Sequence, residues 1–187
     1  MLNAEAWRPT VIRAPLSAIS GRAPDPFERL FLLEYPKVVA IAYRVLADRP
    51  AAEDIAQEVF LKFHRSFNPD SERASGWLHA AAVHSALNVI RGERRRAQRE
   101  TAHALDRSLT AGSDPEHLVE AAEQRREIRR ALSRLPERSA AILMLRYSGL
   151  SYAEVAVAVG IKVTNVGTLL RRAEEALRKE VNRATSE

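Results

Sequence analysis

The chain has 187 residues, 46% hydrophobic and 28% charged, with 29 basic against 24 acidic side chains, a net charge of +5 and an isoelectric point near 10.0. This is the composition of a folded chain of one or two domains with enough apolar surface for real cores, and it excludes a disordered polymer. The lack of cysteine excludes disulfide scaffolds, thiolate zinc sites and cysteine nucleophiles, and no apolar run approaches the roughly 18 residues of a bilayer span.

The first stretch, MLNAEAWRPTVIRAPLSAIS, scatters arginine and proline without a continuous apolar segment, so it does not read as a secretory signal. Residues 1–24 are read as a disordered N-terminal extension of a cytoplasmic protein with no membrane insertion. From Asp25 to Leu46 the apolar residues Phe27, Leu30, Phe31, Tyr35, Val38, Val39, Ile41, Ala42 and Leu46 recur at helical spacing, and Pro36 is expected to bend or interrupt the helix. A second helix starts at Pro50, and its stripe Ala52, Ile55, Ala56, Val59, Phe60 and Phe63 keeps one face inward. The opposite face carries Glu53, Asp54, Gln57, Glu58, Leu61 and Lys62. An exposed leucine among acids suits a docking surface for a basic partner, while periodicity alone favours a solvated face. Asp54 and Glu58 also have the chemistry of metal ligands or an acid/base pair, but no histidine or third carboxylate sits at helical spacing to complete such a site.

A polar loop, SFNPDSERAS, follows, with Asn68-Pro69 and Gly76 as breaker signals. The third helix runs from Trp77, with an expected apolar face of Leu78, Ala81, Ala82, Ala86, Val89 and Ile90 and a polar-to-cationic stripe of His84, Asn88, Arg91 and Arg95. It ends in RGERRRAQR, where five arginines face the single acid Glu93. Such a stripe with an aromatic at its start fits a nucleic-acid strand, arginines holding phosphates and the ring offering a stacking plane; Trp77 taken alone reads as core sooner than as a stacking platform. Periodicity weakens over residues 97–115, which are read as a flexible linker. A second domain, residues 116–184, opens with a helix through Ile128, Leu132 and Leu135, restarts at Pro136 and stops at Gly149.

The most specific signal follows. Ser151 and Glu154 form a capping box, Val155, Ala156 and Val159 line a short helix, Gly160 supplies a left-handed turn, Ile161 plugs it, and Val166, Leu169, Ala173 and Leu177 carry the next helix inward. That order is what two steeply crossing helices require. It leaves Lys162, Thr164, Asn165, Thr168, Arg171 and Arg172 outward, donors suited to phosphates and to base edges in a major groove.

These pieces together resemble bacterial RNA polymerase sigma factors of the sigma-70 family, in particular the short two-domain extracytoplasmic-function (ECF) class. The resemblance runs from Asp25 to about Asn182 and rests on DPFERLFLLEYPKVVAIAYRVLAD, AEDIAQEVFLKFHRSF, GWLHAAAVHSALNVIRGERRR, ALSRLPERSAAILMLRYSGLSYAEVAVAVGI and TLLRRAEEALRK. It implies an all-α chain, with a region 2 bundle over residues 25–96 and a region 4 helix-turn-helix domain over residues 116–184, acting as the subunit that directs core polymerase to promoters. It further implies that Asp54, Gln57, Glu58 and Leu61 dock on the clamp helices of the largest polymerase subunit. Phe67, Asn68, Trp77, His84, Asn88, Arg91, Arg94 and Arg95 would engage the −10 element and help part its strands, and Lys162, Thr164, Asn165, Thr168, Arg171 and Arg172 would enter the −35 major groove. Melting driven by binding calls for no catalytic residue, metal or cofactor. An anti-sigma factor is a further kind of partner that the resemblance admits.

The chain departs from the family pattern at His84 and Asn88, where Asn and Asp are usual, at Asn165 to Leu170, where T-V-K-S-R-L is usual, and at Ala140, where arginine is common. Gly167 thereby sits mid-helix, at a cost of about 1 kcal/mol relative to alanine. The competing readings are a stand-alone helix-turn-helix regulator and a metal-dependent hydrolase built on Asp54 and Glu58.

Overall fold

The structure is a computed structural model that describes residues 24–103 and 116–185; the expected N-terminal extension and most of the expected linker lie outside the described residues. Seven helices are found among the described residues: α1 Pro26–Leu46, α2 Arg49–Ser66, α3 Ala74–His103, α4 Glu116–Arg134, α5 Glu137–Tyr147, α6 Tyr152–Val159 and α7 Val163–Thr185.

The chain's own polar residues set where the helices start. The Asp25 carboxylate accepts from the Glu28 amide at 2.8 Å with Pro26 in the first turn, and Asp48 accepts from the Ala51 amide at 3.1 Å ahead of Pro50. Both caps satisfy amides that have no partner within the helix. In α2 the buried set is Ala52, Ile55, Ala56, Val59, Phe60 and Phe63, the stripe expected from spacing. Pro36, by contrast, does not break α1, which continues across it. Glu34, Val38, Val39 and Ile41 are buried on either side of it, and packing of that extent outweighs the roughly 3 kcal/mol that an interior proline costs a helix.

The long helix α3 differs from expectation in three ways. It begins at Ala74, so Gly76 lies inside its first turns and not in the preceding loop, and it continues to His103, beyond the expected linker start at residue 97. Its buried side chains are Leu78, His79, Ala82, Val83, Ala86, Leu87 and Ile90, whereas Val89 is 40% exposed. The reason is that α3 has several neighbours. It packs against α1 and α2 on one side and against α4, α5 and α6 on the other, so its buried band is wider than a single stripe. One continuous core runs from Val38 and Phe63 through Leu78 and Leu87 to Leu143, Val155 and Val166.

One buried polar cluster pins α1 to α3. Glu34 is 2% exposed and His79 1%; His79 Nε2 lies 2.8 Å from Glu34 Oε2, while the Ser75 hydroxyl and Lys37 Nζ each donate to Oε1 at 3.1 Å. Burial by itself would raise the Glu34 carboxyl, but the hydrogen bonds from His79 and Lys37, with their charges, bring it down to about 2.

Candidate nucleic-acid interface

Three surfaces carry the residues singled out by the sequence. On the second helix of the helix-turn-helix Thr164, Asn165, Thr168, Arg171 and Arg172 are all exposed, as is Lys162 just before it. Local chemistry places them there. Ser151 Oγ accepts from the Glu154 amide at 3.3 Å, and Glu154 Oε2 accepts from the Ser151 amide at 2.7 Å. The Ser151 side chain, then its backbone amide, hold the Glu154 carboxyl below its ordinary range. Gly160 closes α6 at φ 69°, a left-handed turn in which L side chains are strained, and the chain leaves it to cross α6 at 87°. Val155, Ala156, Val166, Leu170 and Ala173 are buried at the crossing; Leu169, expected inside, is only partly buried, because Leu170 takes the inner position.

The second surface lies on α2. Asp54, Gln57 and Glu58 are exposed and Leu61 is 57% exposed, an unusual setting for a leucine. Glu58 pairs with Lys62 at 2.7 Å and Glu53 with Arg49 at 2.8 Å, surface pairs that contribute little to stability. Among the described residues Asp54 has no ion pair, and no group of three His, Asp or Glu side chains converges to hold a metal. The hydrolase reading therefore lacks a third ligand there.

The third surface is the α2–α3 loop with α3 itself. The loop is shaped by short-range acceptors: Asn68 Oδ1 takes the Asp70 amide at 3.0 Å and Ser71 Oγ the Arg73 amide at 3.3 Å. Phe67, 41% exposed, stands 4.5 Å from Trp77 between ring centroids and 5.6 Å from Phe63. Trp77 is half-buried, so it belongs both to the core and to an aromatic wall that an unstacked base could meet. Further along α3, Asn88 and Arg95 are exposed.

The remaining three residues of this surface are engaged by the second half of the chain, which the sequence reading did not anticipate. His84 Nδ1 hydrogen-bonds the Glu137 carboxylate; Arg91 donates to the Leu135 carbonyl at 3.2 Å and lies 3.6 Å from Glu137; Arg94 donates to the Ser133 carbonyl at 3.1 Å. Glu93 pairs with Arg129 at 2.7 Å. Beyond these contacts Arg94, Arg126, Arg129, Arg130 and Arg134 line a cavity of about 650 Å³ with Glu93 as its acid, so the seam is strongly positive. Such a field suits a phosphate backbone.

Fold and surfaces together define a two-part helical protein that presents a helix-turn-helix, a basic and aromatic long helix, and an acidic docking face. Sequence comparison gives the family: residues 30–96 match the model for sigma-70 region 2 and residues 125–177 that for sigma-70 region 4. An RNA polymerase sigma-H factor of Pseudomonas aeruginosa is 31% identical over 164 residues, covering 82% of this chain and 84% of that protein. The ECF sigma factor SigW of Bacillus subtilis is 27% identical, covering 91% and 97%. The ECF sigma factor SigE of Mycolicibacterium smegmatis is 29% identical over 81% of this chain, which spans only 60% of that longer protein. Among solved structures, the sigma factor RpoE in complex with the anti-sigma factor NepR from Bartonella quintana aligns at TM-score 0.46 and 22% identity, covering 83% and 96%. The chain belongs to the ECF branch of the sigma-70 family. It is a promoter-directing sigma factor whose partners are core RNA polymerase and promoter DNA, and a stand-alone regulator is not favoured.

Proposed function

We propose that the three surfaces divide the work of initiation. The α2 face around Asp54, Gln57, Glu58 and Leu61 docks on a basic helical site of core polymerase. The loop from Phe67 and the outward side of α3, through Asn68, Trp77, His84, Asn88, Arg91, Arg94 and Arg95, takes the −10 element. The helix from Lys162 through Arg172 enters the −35 major groove. The working units are residues 25–96 and 116–184, joined by the intervening segment. The chain acts by binding alone, without a catalytic residue, metal or cofactor, and works in the cytoplasm.

The observation that carries this reading is the outward set on α7. Five donors, with Lys162 just ahead of the first turn, sit together on the exposed side of a helix whose inner side is locked by a capped, glycine-terminated turn. A rigid support of that kind is what base-edge recognition needs. The test is run-off transcription by core polymerase on a promoter library, with and without this protein. The reading expects defined start sites only when the protein is present. It fails if no promoter gains specific initiation and the protein does not co-purify with core. For the docking face, Asp54→Ala with Glu58→Ala should weaken core binding at least tenfold while the circular dichroism melt stays unchanged.

A further inference from the structure

Helices α3 and α4 face each other across the cavity of about 650 Å³, and the stripes that line it share one period. On α3 the stripe is Ile90, Glu93, Arg94, Ala97 and Gln98; on α4 it is Arg126, Arg129, Arg130, Ser133 and Arg134. Offsets of three, four, seven and eight are those at which packed helices place apolar side chains. Here the α4 positions hold guanidinium groups, and a cavity stands where side chains would otherwise interlock. The arginines are not needed to anchor α4, because Ala131, Leu132 and Leu135 beside them are buried in the core. Nor do they favour the helix itself: Arg126, Arg130 and Arg134 follow one another at four-residue intervals, a spacing at which like charges repel.

The charges around the cavity do not balance. Five arginines meet one lining acid, Glu93, which pairs with Arg129 at 2.7 Å, so the excess is five less one, or four. Arg94 donates to the Ser133 carbonyl at 3.1 Å. One terminal nitrogen of Arg134 and the Nε of Arg129 are buried without a hydrogen-bond partner, and Glu180, the acid beside Arg134, stands at 3.7 Å, beyond hydrogen-bond reach. Among the described residues Arg126 and Arg130 have no ion pair, and both side chains are exposed. Guanidinium forks of this kind hold phosphate oxygens two at a time, and a concave site lined by one sign of charge concentrates anions. The volume lies within the roughly 300–1,000 Å³ of small-molecule sites. Ile90 and Ala97 add an apolar side against which a planar ring can lie.

We propose that the cavity between α3 and α4 is a binding site for an oligophosphate anion, specifically a nucleoside polyphosphate, with the phosphate chain across Arg126, Arg130 and Arg134 and the base beside Ile90 and Ala97. Inorganic polyphosphate offers the same chain chemistry without a base. The site draws on Arg126, Arg129, Arg130 and Arg134, none of which is assigned to promoter DNA above.

The test is isothermal calorimetry on the full-length chain in low-salt, magnesium-free buffer, with ATP, GTP, inorganic tripolyphosphate and adenosine as probes. The triphosphates should saturate one site in the micromolar range, with an affinity that falls steeply as salt is raised, while adenosine should not bind. Tripolyphosphate as tight as ATP assigns the site to the phosphate chain alone; a tighter nucleotide assigns the base its place as well. Two variants of opposite sign locate the site. Arg126→Gln with Arg130→Gln should weaken triphosphate binding at least tenfold with an unchanged circular dichroism melt, since both side chains are exposed. Glu93→Gln removes the one lining acid and frees Arg129, so it should tighten binding at least threefold. No saturable binding at millimolar triphosphate, undiminished binding in the double arginine variant, or no gain in Glu93→Gln overturns the proposal. A labelled single strand of mixed sequence gives the remaining arm: if it loses as much affinity as the triphosphates in the double variant, the cavity belongs to a nucleic-acid path and the small-molecule site falls.

Discussion

Gly167→Ala tests the helix-turn-helix reading at its least family-like position. Gly167 is the fifth residue of α7, at an ordinary helical φ, and a β-carbon there would meet the Tyr152 ring carbon at 3.5 Å and its hydroxyl at 3.9 Å, both normal van der Waals contacts. Nothing in the site therefore requires glycine, and alanine should recover the helix propensity that glycine forgoes, about 0.8–1.0 kcal/mol. The new methyl group against the Tyr152 ring adds a fraction of the ~0.8 kcal/mol of a fully buried methylene. A stabilisation of about 1 kcal/mol raises the melting temperature by roughly 2–4 °C in a chain of this size. The assay is thermal unfolding followed by circular dichroism at 222 nm and by calorimetry, the latter to show which transition moves if the halves melt separately. Gly160→Ala is the control of opposite sign: at φ 69° the side chain is strained, and a loss of about 1–2 kcal/mol follows. Because Gly167 faces Tyr152 and not the outward donors, −35 affinity should change less than twofold. A melting temperature that stays level or falls in Gly167→Ala would refute the reasoning, since it would mean that the crossing of α6 and α7 tolerates no atom there.

Three further outcomes follow from other parts of the molecule. Glu34→Gln should destabilise the fold by on the order of 3 kcal/mol in urea titrations near neutrality, from the gap between about 2 and the ordinary 4.5 of its carboxyl. That stabilisation is present above about pH 4.5 and is lost as the pH falls toward 2, so the variant should show a shallower acid limb; parallel limbs would exclude Glu34 as its source. Ser151→Ala removes one half of the capping box and should cost about 1 kcal/mol, with a smaller penalty at acid pH, where Glu154 is protonated in both proteins; an equal penalty at all pH values would mean that the charge on Glu154 adds nothing to the serine cap. Arg171→Ala should weaken holoenzyme binding to −35 DNA and reduce the magnitude of the log–log salt slope by about one, and an unchanged slope would place Arg171 away from phosphate.

Much of the architecture could be read along the chain because its determinants are local. The α2 stripe repeats at three- and four-residue spacing, and the helix-turn-helix is written in a serine, a glutamate and a glycine within ten residues. Pro36 does not interrupt α1 because its local penalty is outweighed by neighbours distant in sequence. Val89 misleads because a single-stripe pattern presumes one packing partner, whereas α3 has five. The wide band Leu78, His79, Ala82, Val83, Ala86, Leu87 and Ile90 is the signal that could have announced this. The contacts of His84, Arg91 and Arg94 span 53, 44 and 39 residues, and pairings of that range leave no periodic trace. The Glu34–His79 pair, 45 residues apart, is hidden for the same reason.

The end points of α3 and α4 set a limit on how far apart the two halves can move. His103 closes one helix and Glu116 opens the next. Covalent geometry caps the intervening chain at about 45 Å even when fully stretched. The −10 and −35 elements, about 25 base pairs apart by their positions, lie about 85 Å apart along a duplex. With α3 on the −10 element and α7 on the −35 element, as proposed, the difference is supplied by the bodies of the two halves, chiefly by the roughly 45 Å length of α3 itself. On the proposed assignment of α3 and α7, each residue deleted between His103 and Glu116 withdraws about 3.5 Å of reach, about one base step along a duplex.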